Sequence, residues 1–282
     1  MRLKLLDSLS LPGDPGKPND DALAHGETAA LVMDGATGLS EPLMPGRSDA
    51  AWLSGFGARR IMAYLGEGAS GREAVTAALF DAQTSFEALR KRPPAGRYEI
   101  PYAAMTLAVA RGAALEILWF GDCAALVRQP GKSVALIGDA LAKRAQEASG
   151  AARLARAAGT HPVGQTDRPE FMDALRRARD RLNTESGNWA FGPDVLAADR
   201  VASREIGAPA GTRLLLASDG FLALACDYRA YDIEGLMAAA QEKGLKALGQ
   251  ELRGIEAGDP LGIAYPRFKM SDDATAVLLE LV

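Results

Sequence analysis

The chain has 282 residues, 48% of them hydrophobic, with 32 Lys and Arg against 36 Asp and Glu, a length that buries a full core without covalent staples. A net charge of −4 leaves no basic footprint of the kind that nucleic-acid or anionic-membrane binders carry, so neither partner is expected. Two Cys (Cys123, Cys226) and two His (His25, His161) are too few for a disulfide framework, a thiolate zinc site or a His-rich centre; any metal must be held by carboxylates, which favours Mg²⁺ or Mn²⁺ over Zn²⁺.

In chain order, the opening MRLKLLDSLSLPGD is too short an apolar run for a signal peptide, because Asp7 interrupts it. Nothing approaches 18 uncharged apolar residues, so no membrane span is expected. With free thiols and no export signal, the expectation is a cytoplasmic protein. Residues 28–33 (TAALVM) read as a buried strand that stops at Asp34-Gly35. Residues 49–65 and 70–92 place apolar side chains at helical spacing. Residues 103–110 and 115–120 read as strands joined by a turn at Arg111-Gly112, and 124–128 as another strand beyond Gly121-Asp122-Cys123. From Asp139 to Thr184 the composition shifts to Ala, Arg and Glu, which predicts a helical insertion followed by an irregular loop over 185–195. Strands are expected again at 212–217 and 274–282, with two helices between 228 and 253. Blocks of strands and helices, rather than strict alternation, favour an α+β sandwich of two packed sheets with helices outside over a doubly wound sheet. The whole of 1–282 is expected to form one domain, with 139–195 inserted in it.

Several motifs fail. Gly131-Lys132-Ser133 lacks the first glycine of a P-loop, which would fall at Leu126. No G-x-S-x-G elbow and no H-E-x-x-H helix is present. What stands out is a set of acidic residues at strand ends: Asp20-Asp21, Asp34, Asp122, Asp219 and Asp272-Asp273. Singly, each is explained by turn chemistry, since Asp-Gly is a common turn dipeptide and Asp caps its own backbone. Jointly they abut apolar strands that lie in a core, so their side chains can converge at one end of a sheet. Converging carboxylates repel unless cations neutralise them, and hard divalent ions with oxygen ligands answer that need.

The order and spacing of these segments resemble the metal-dependent protein phosphatases of type 2C, in their bacterial form. The resemblance runs through Asn19-Asp20-Asp21-Ala22, Met33-Asp34-Gly35-Ala36-Thr37-Gly38, Met105-Thr106-Leu107, Gly121-Asp122-Cys123, Ala217-Ser218-Asp219-Gly220 and Asp272-Asp273-Ala274-Thr275. It implies a four-layer αββα sandwich with two mainly antiparallel central sheets, and places the 139–195 insertion where the family carries a flap. It further implies two Mn²⁺ or Mg²⁺ ions, with a third more loosely held. Asp34 would bridge the pair and the Gly35 carbonyl would bind the second ion. Asp219 and Asp272 would complete the shell of the first. Asp20 would fill the acidic slot of the second, mainly through water, with Asp21 beside it, and Asp122 would form the third site with Asp219. Asp34, Asp219 and Asp272 are thus the catalytic candidates.

The chemistry implied is hydrolysis of phosphoserine or phosphothreonine in a protein substrate by water held between two cations, without a phosphoenzyme. Departures from the family's pattern are visible. The position of its phosphate-binding Arg is Gly16, leaving Lys17 as the nearest cation and the candidate to bind the substrate phosphate in its place, and Asp20 stands for the more usual Glu. No His follows the Asp-Gly pair. Two other readings stay open: a catalytically silent relative that binds a phosphoprotein or partner as a regulator, and a phosphatase of small phosphoesters.

Overall fold

In a computed structural model, residues 1–163 and 169–282 are described. The order is β1 (Leu3–Leu11), β2 (Asp21–His25), β3 (Ala29–Gly35), α1 (Asp49–Gly66), α2 (Gly71–Leu89), β4 (Ala103–Arg111), β5 (Ala114–Phe120), β6 (Ala124–Arg128), β7 (Ala135–Ile137), α3 (Ala140–Ala158), α4 (Pro169–Arg179), β8 (Ala202–Gly207), β9 (Arg213–Ala217), α5 (Asp219–Cys226), α6 (Ile233–Glu242), α7 (Leu245–Gly258) and β10 (Ala274–Leu281).

The strands form two five-stranded sheets, β1-β10-β9-β6-β7 and β2-β3-β4-β5-β8, with every neighbouring pair antiparallel. Side chains alternate between the two faces of a strand, and β3 shows what each face meets. Leu31 and Met33 pack with Leu53 and Ile61 of α1 and Val75 and Leu79 of α2. Ala30 and Val32 point the other way, into a layer shared with Val127, Leu214, Leu216, Val277 and Leu279 of the second sheet. The outer face of that sheet, including Leu126, Leu215 and Leu278, is covered by α5, α6 and α7 through Phe221, Leu236, Leu248 and Leu252. The result is the expected α+β layering: helices, sheet, sheet, helices. Strands buried on both faces read as continuous apolar runs, which is why the central ones are visible in the sequence.

The helix starts also follow from local chemistry. Ser48 caps α1 by accepting from the Ala51 amide, and Ser70 forms a capping box with Glu73 at the start of α2. The strands that the sequence reading passes over, β1, β2, β7 and β8, are short, polar or at sheet edges. β1 and β8 alternate only weakly in burial, and a bulge between Leu5 and Asp7 breaks the period of β1. The helical 139–184 stretch contains α3 and α4, between β7 and β8. Among the described residues no helix is long and apolar enough to cross a membrane.

Candidate active site

The acidic end of the sandwich is built by strand ends that are forced close together. Asp34 is carried by β3 out of a run of fully buried residues. Asp21, the first residue of β2, pairs directly with it across the ladder, so the two side chains emerge on the same face. Gly35 closes β3 against α1: a Cβ there would sit 2.5 Å from the Asp20 carbonyl oxygen and 2.9 Å from that of Ala50. Only glycine allows this approach. Gly121, at φ +74°, turns the chain from β5 towards Asp122, and a Cβ on it would lie 2.6 Å from that of Ala104. Asp219 is the first residue of α5, reached from β9 through Ser218, whose hydroxyl accepts from the Thr275 amide at 2.9 Å. A Cβ on Gly220 would meet the Asp273 carbonyl oxygen at 2.0 Å, so α5 starts pressed against the Asp272-Asp273 loop.

The electrostatics of this end are lopsided. Both carboxylate oxygens of Asp21 are buried without a hydrogen-bond partner, and the residue is only 8% exposed. Burial pushes its carboxyl well above the ordinary range; nearby Ser218 and Thr275 hydroxyls offset this in part, and the charges of Asp272 and Asp273 add to it. Asp34 is likewise pushed well up, by burial first and then by Asp21, Asp219 and Asp272. Asp122 is raised to about 6 by burial and the Asp219 charge, with Lys143 and Arg144 pulling the other way. Asp219 goes in the opposite direction. Burial would raise it, but the Arg144 guanidinium holds it below the ordinary value. Arg144, on α3 and only 7% exposed, donates to Asp219 Oδ2 at 2.8 Å and also to Asp227. Lys269 Nζ donates to Asp272 Oδ1 at 2.9 Å and to Thr37 Oγ1 at 3.0 Å.

The structure therefore brings Asp21, Asp34, Asp219, Asp272 and Asp122 into one electrostatic group. Asp20 stands at its margin. Its carboxylate accepts from the Ser48 hydroxyl and is raised by burial, with Asp273 and Asp272 adding to the shift. The residue set across from Asp34 is Asp21, because β2 begins there and pairs it with Asp34; Asp20, to which the resemblance assigns a mainly water-mediated role, is the residue before it. Asp273 is committed to backbone, accepting from the Gly13 amide at 2.7 Å and the Asp20 amide at 2.6 Å. Lys17 faces solvent: its side chain is 76% exposed and pairs with Asp14 at 3.6 Å. Cys123 is fully buried, and burial followed by the surrounding carboxylates pushes its thiol far up, which leaves it a packing residue rather than a thiolate nucleophile.

Two side chains of this end, Arg144 and Lys269, go unnoticed in the sequence reading. Arg144 had a signal. It sits on an alanine stripe at helical spacing, Ala140, Ala148, Ala151 and Ala155, and a cation on the packed stripe of a helix needs a buried anion. Lys269 lies three residues before Asp272 and had none.

The donor set fits a hard divalent cation. All the candidate ligands are oxygens, two of them buried and unpartnered on Asp21, and of the described carboxylates around Asp34 only Asp219 and Asp272 are paired with a cation of the chain. Among the described residues, however, no three His, Cys, Asp or Glu side chains stand together as a ready-made ligand set.

No protein-family model matches the chain, and no curated protein is similar to it in sequence. Solved structures are similar over the whole length. The serine/threonine phosphatase PstP/Ppp of Mycobacterium tuberculosis shares 17% identity at a TM-score of 0.60, covering 100% of this chain and 99% of that one. A PPM Ser-Thr phosphatase of Mycobacterium smegmatis, solved with cacodylate, shares 18% identity at a TM-score of 0.56, covering 99% and 100%. The catalytic domain of PstP in complex with two manganese ions shares 16% at 0.54, covering 100% and 99%. The chain has the fold of the type 2C serine/threonine phosphatases.

Proposed function

We propose that this protein is a metal-dependent serine/threonine protein phosphatase of the type 2C family, hydrolysing phosphomonoesters of phosphoproteins with Mn²⁺ or Mg²⁺. One observation carries the reading: on a phosphatase fold, strand ends of two sheets gather buried and half-buried carboxylates, and both oxygens of one of them, Asp21, have no hydrogen-bond partner. Such a cluster is costly unless a cation joins it.

Asp34, Asp219 and Asp272 would hold one ion, and Asp34 with Asp21, Asp20 and the Gly35 carbonyl would hold the other. Asp122, beside Asp219, is suited to a third. When bound, the ions supply Lewis acidity for the phosphoryl oxygens and a water nucleophile at neutral pH. The chain's own contribution is positional. Gly35, Gly121 and Gly220 let the carboxylate-bearing segments approach, Asp273 clasps the loops that carry Asp20 and Asp272, and Ser218 is fixed by Thr275 rather than left as a nucleophile. A side-chain nucleophile has no part in this scheme.

The test is hydrolysis of a phosphothreonine peptide with Mn²⁺, with EDTA, and by the Asp34→Ala variant. Turnover that needs metal and vanishes in the variant supports the reading; absence of both turnover and Mn²⁺ binding sinks it. A second reading, a catalytically silent regulator on the same fold, draws on the Arg144–Asp219 and Lys269–Asp272 pairs, which neutralise two of the candidate ligands. Metal binding without turnover on any phosphopeptide or small phosphoester would favour it. Turnover of small phosphoesters without preference for phosphopeptides would favour a small-molecule phosphatase.

A further inference from the structure

The two halves of the acidic cluster are not equivalent. At Asp21 and Asp34 the carboxylates face each other across β2 and β3, and the oxygens of Asp21 are buried and unpartnered. At Asp219 and Asp272 each carboxylate already holds a cation of the chain. Arg144 forks from α3 onto Asp219 and Asp227, with all three side chains nearly buried. Lys269 reaches Asp272 from the loop before β10, with its side chain half-exposed. We infer that the cluster offers two unlike cation positions: one at Asp21–Asp34 that takes a divalent ion directly, and one at Asp219–Asp272 that is filled by Arg144 and Lys269 and takes an ion only when they are displaced.

This inference rests on the metal-dependent reading above and adds an order of loading to it. The physical basis is the difference between filling and exchanging. An ion entering at Asp21–Asp34 relieves repulsion among buried carboxylates and gives two orphaned oxygens a partner. An ion entering at Asp219 must strip away a buried guanidinium that Asp219 shares with Asp227. A buried Arg fork satisfies two carboxylates at once, so breaking it is opposed far more strongly than displacing a solvated lysine. Lys269, half-exposed, is therefore the weaker of the two barriers.

The experiment is Mn²⁺ titration of the full chain by calorimetry, with electron paramagnetic resonance counting bound and free ion, on the wild type and on Asp21→Asn, Asp219→Asn and Arg144→Gln. The wild type is expected to bind one ion tightly and a second at least about 100-fold more weakly, the size of effect that a buried pair opposes. Asp21→Asn should lose the tight ion, while Asp219→Asn should keep it. Arg144→Gln should bring the second ion to within about tenfold of the first. Two ions binding the wild type within tenfold of each other would overturn the order of loading while leaving the metal-dependent reading intact. Retention of the tight ion in Asp21→Asn with its loss in Asp219→Asn would overturn it too, as would an unchanged second site in Arg144→Gln. No binding by the wild type would overturn both. Should Arg144→Gln fail to fold, as a melting curve would show, the wild type and the two Asn variants still decide the matter.

Discussion

Glu99 and Asp21 are acidic residues buried to almost the same depth, at 9% and 8% exposure, yet the protein treats them in opposite ways. Glu99 receives the Arg92 guanidinium at 2.6 and 2.9 Å and the Ala95 amide at 2.7 Å. These bonds, led by Arg92, hold its carboxyl down to about 2. Asp21 has no partner of that quality on either oxygen, the nearby Ser218 and Thr275 hydroxyls ease its charge only in part, and it is pushed far the other way. Depth of burial therefore does not distinguish a structural acid from a functional one. Compensation is what differs: Glu99 is satisfied from within the chain, whereas Asp21 is not, which is what the proposed metal-binding role asks of it.

The comparison can be broken most sharply at Asp34. Asp34→Asn should lower metal-supported phosphopeptide turnover by about 10³-fold or more, as loss of several kcal/mol of charge stabilisation requires. A phosphatase assay at saturating Mn²⁺ checks it. Asp122→Asn tests the same idea without catalysis. Because the folded state lifts Asp122 from 3.8 to about 6, it binds a proton more readily than the unfolded chain does. That contribution to stability is complete below 3.8 and lost as pH rises through 6. In EDTA at pH 8 the variant should thus be more stable than the wild type by about 1–3 kcal/mol, with the gap closing towards pH 4. Urea midpoints at the two pH values read this out. Glu99→Gln should do the reverse, costing about 1–3 kcal/mol at pH 7. Glu99 is depressed from 4.5, so its contribution is present above that value and fades as pH falls towards 2; the difference between variant and wild type should shrink over that interval in melting curves. Lys17→Ala should be nearly silent, changing KM for a phosphopeptide by less than about twofold, because an exposed pair with Asp14 contributes little.

How much was readable in advance follows the same division. Strands buried on both faces announce themselves, as at β3, β4 and β9, because their middles are almost continuously apolar. β1 and β8 do not, since an edge strand with one wet face and a bulge has neither a run nor a clean period. The start of α5 was read as a turn because Asp219-Gly220 is turn chemistry, whereas here Ser218 and Asp219 begin a helix. The acidic group could be assembled from spacing alone, because each member ends an apolar segment. Which member of Asp20-Asp21 meets Asp34 depends on strand register, and one residue of slip exchanges the faces. Arg144 lies 75 residues from Asp219, so the stripe shows a cation in need of an anion but not which one; Lys269 is three residues from Asp272, in a loop with no period to mark it.

The pairing of β1 with β10 has a kinetic consequence. In the sheet order β1 has β10 as its single neighbour, and the Ser10–Thr275 contact spans 265 residues. On a ribosome adding roughly 5–20 residues per second, β1 waits roughly 13–53 s for its partner. Asp272 and Asp273, which join the acidic end and clasp the Asp20 loop, arrive with that partner. A nascent chain therefore carries its acidic end incomplete from the emergence of β1 until β10 is made, and the end is completed as β10 closes the sheet.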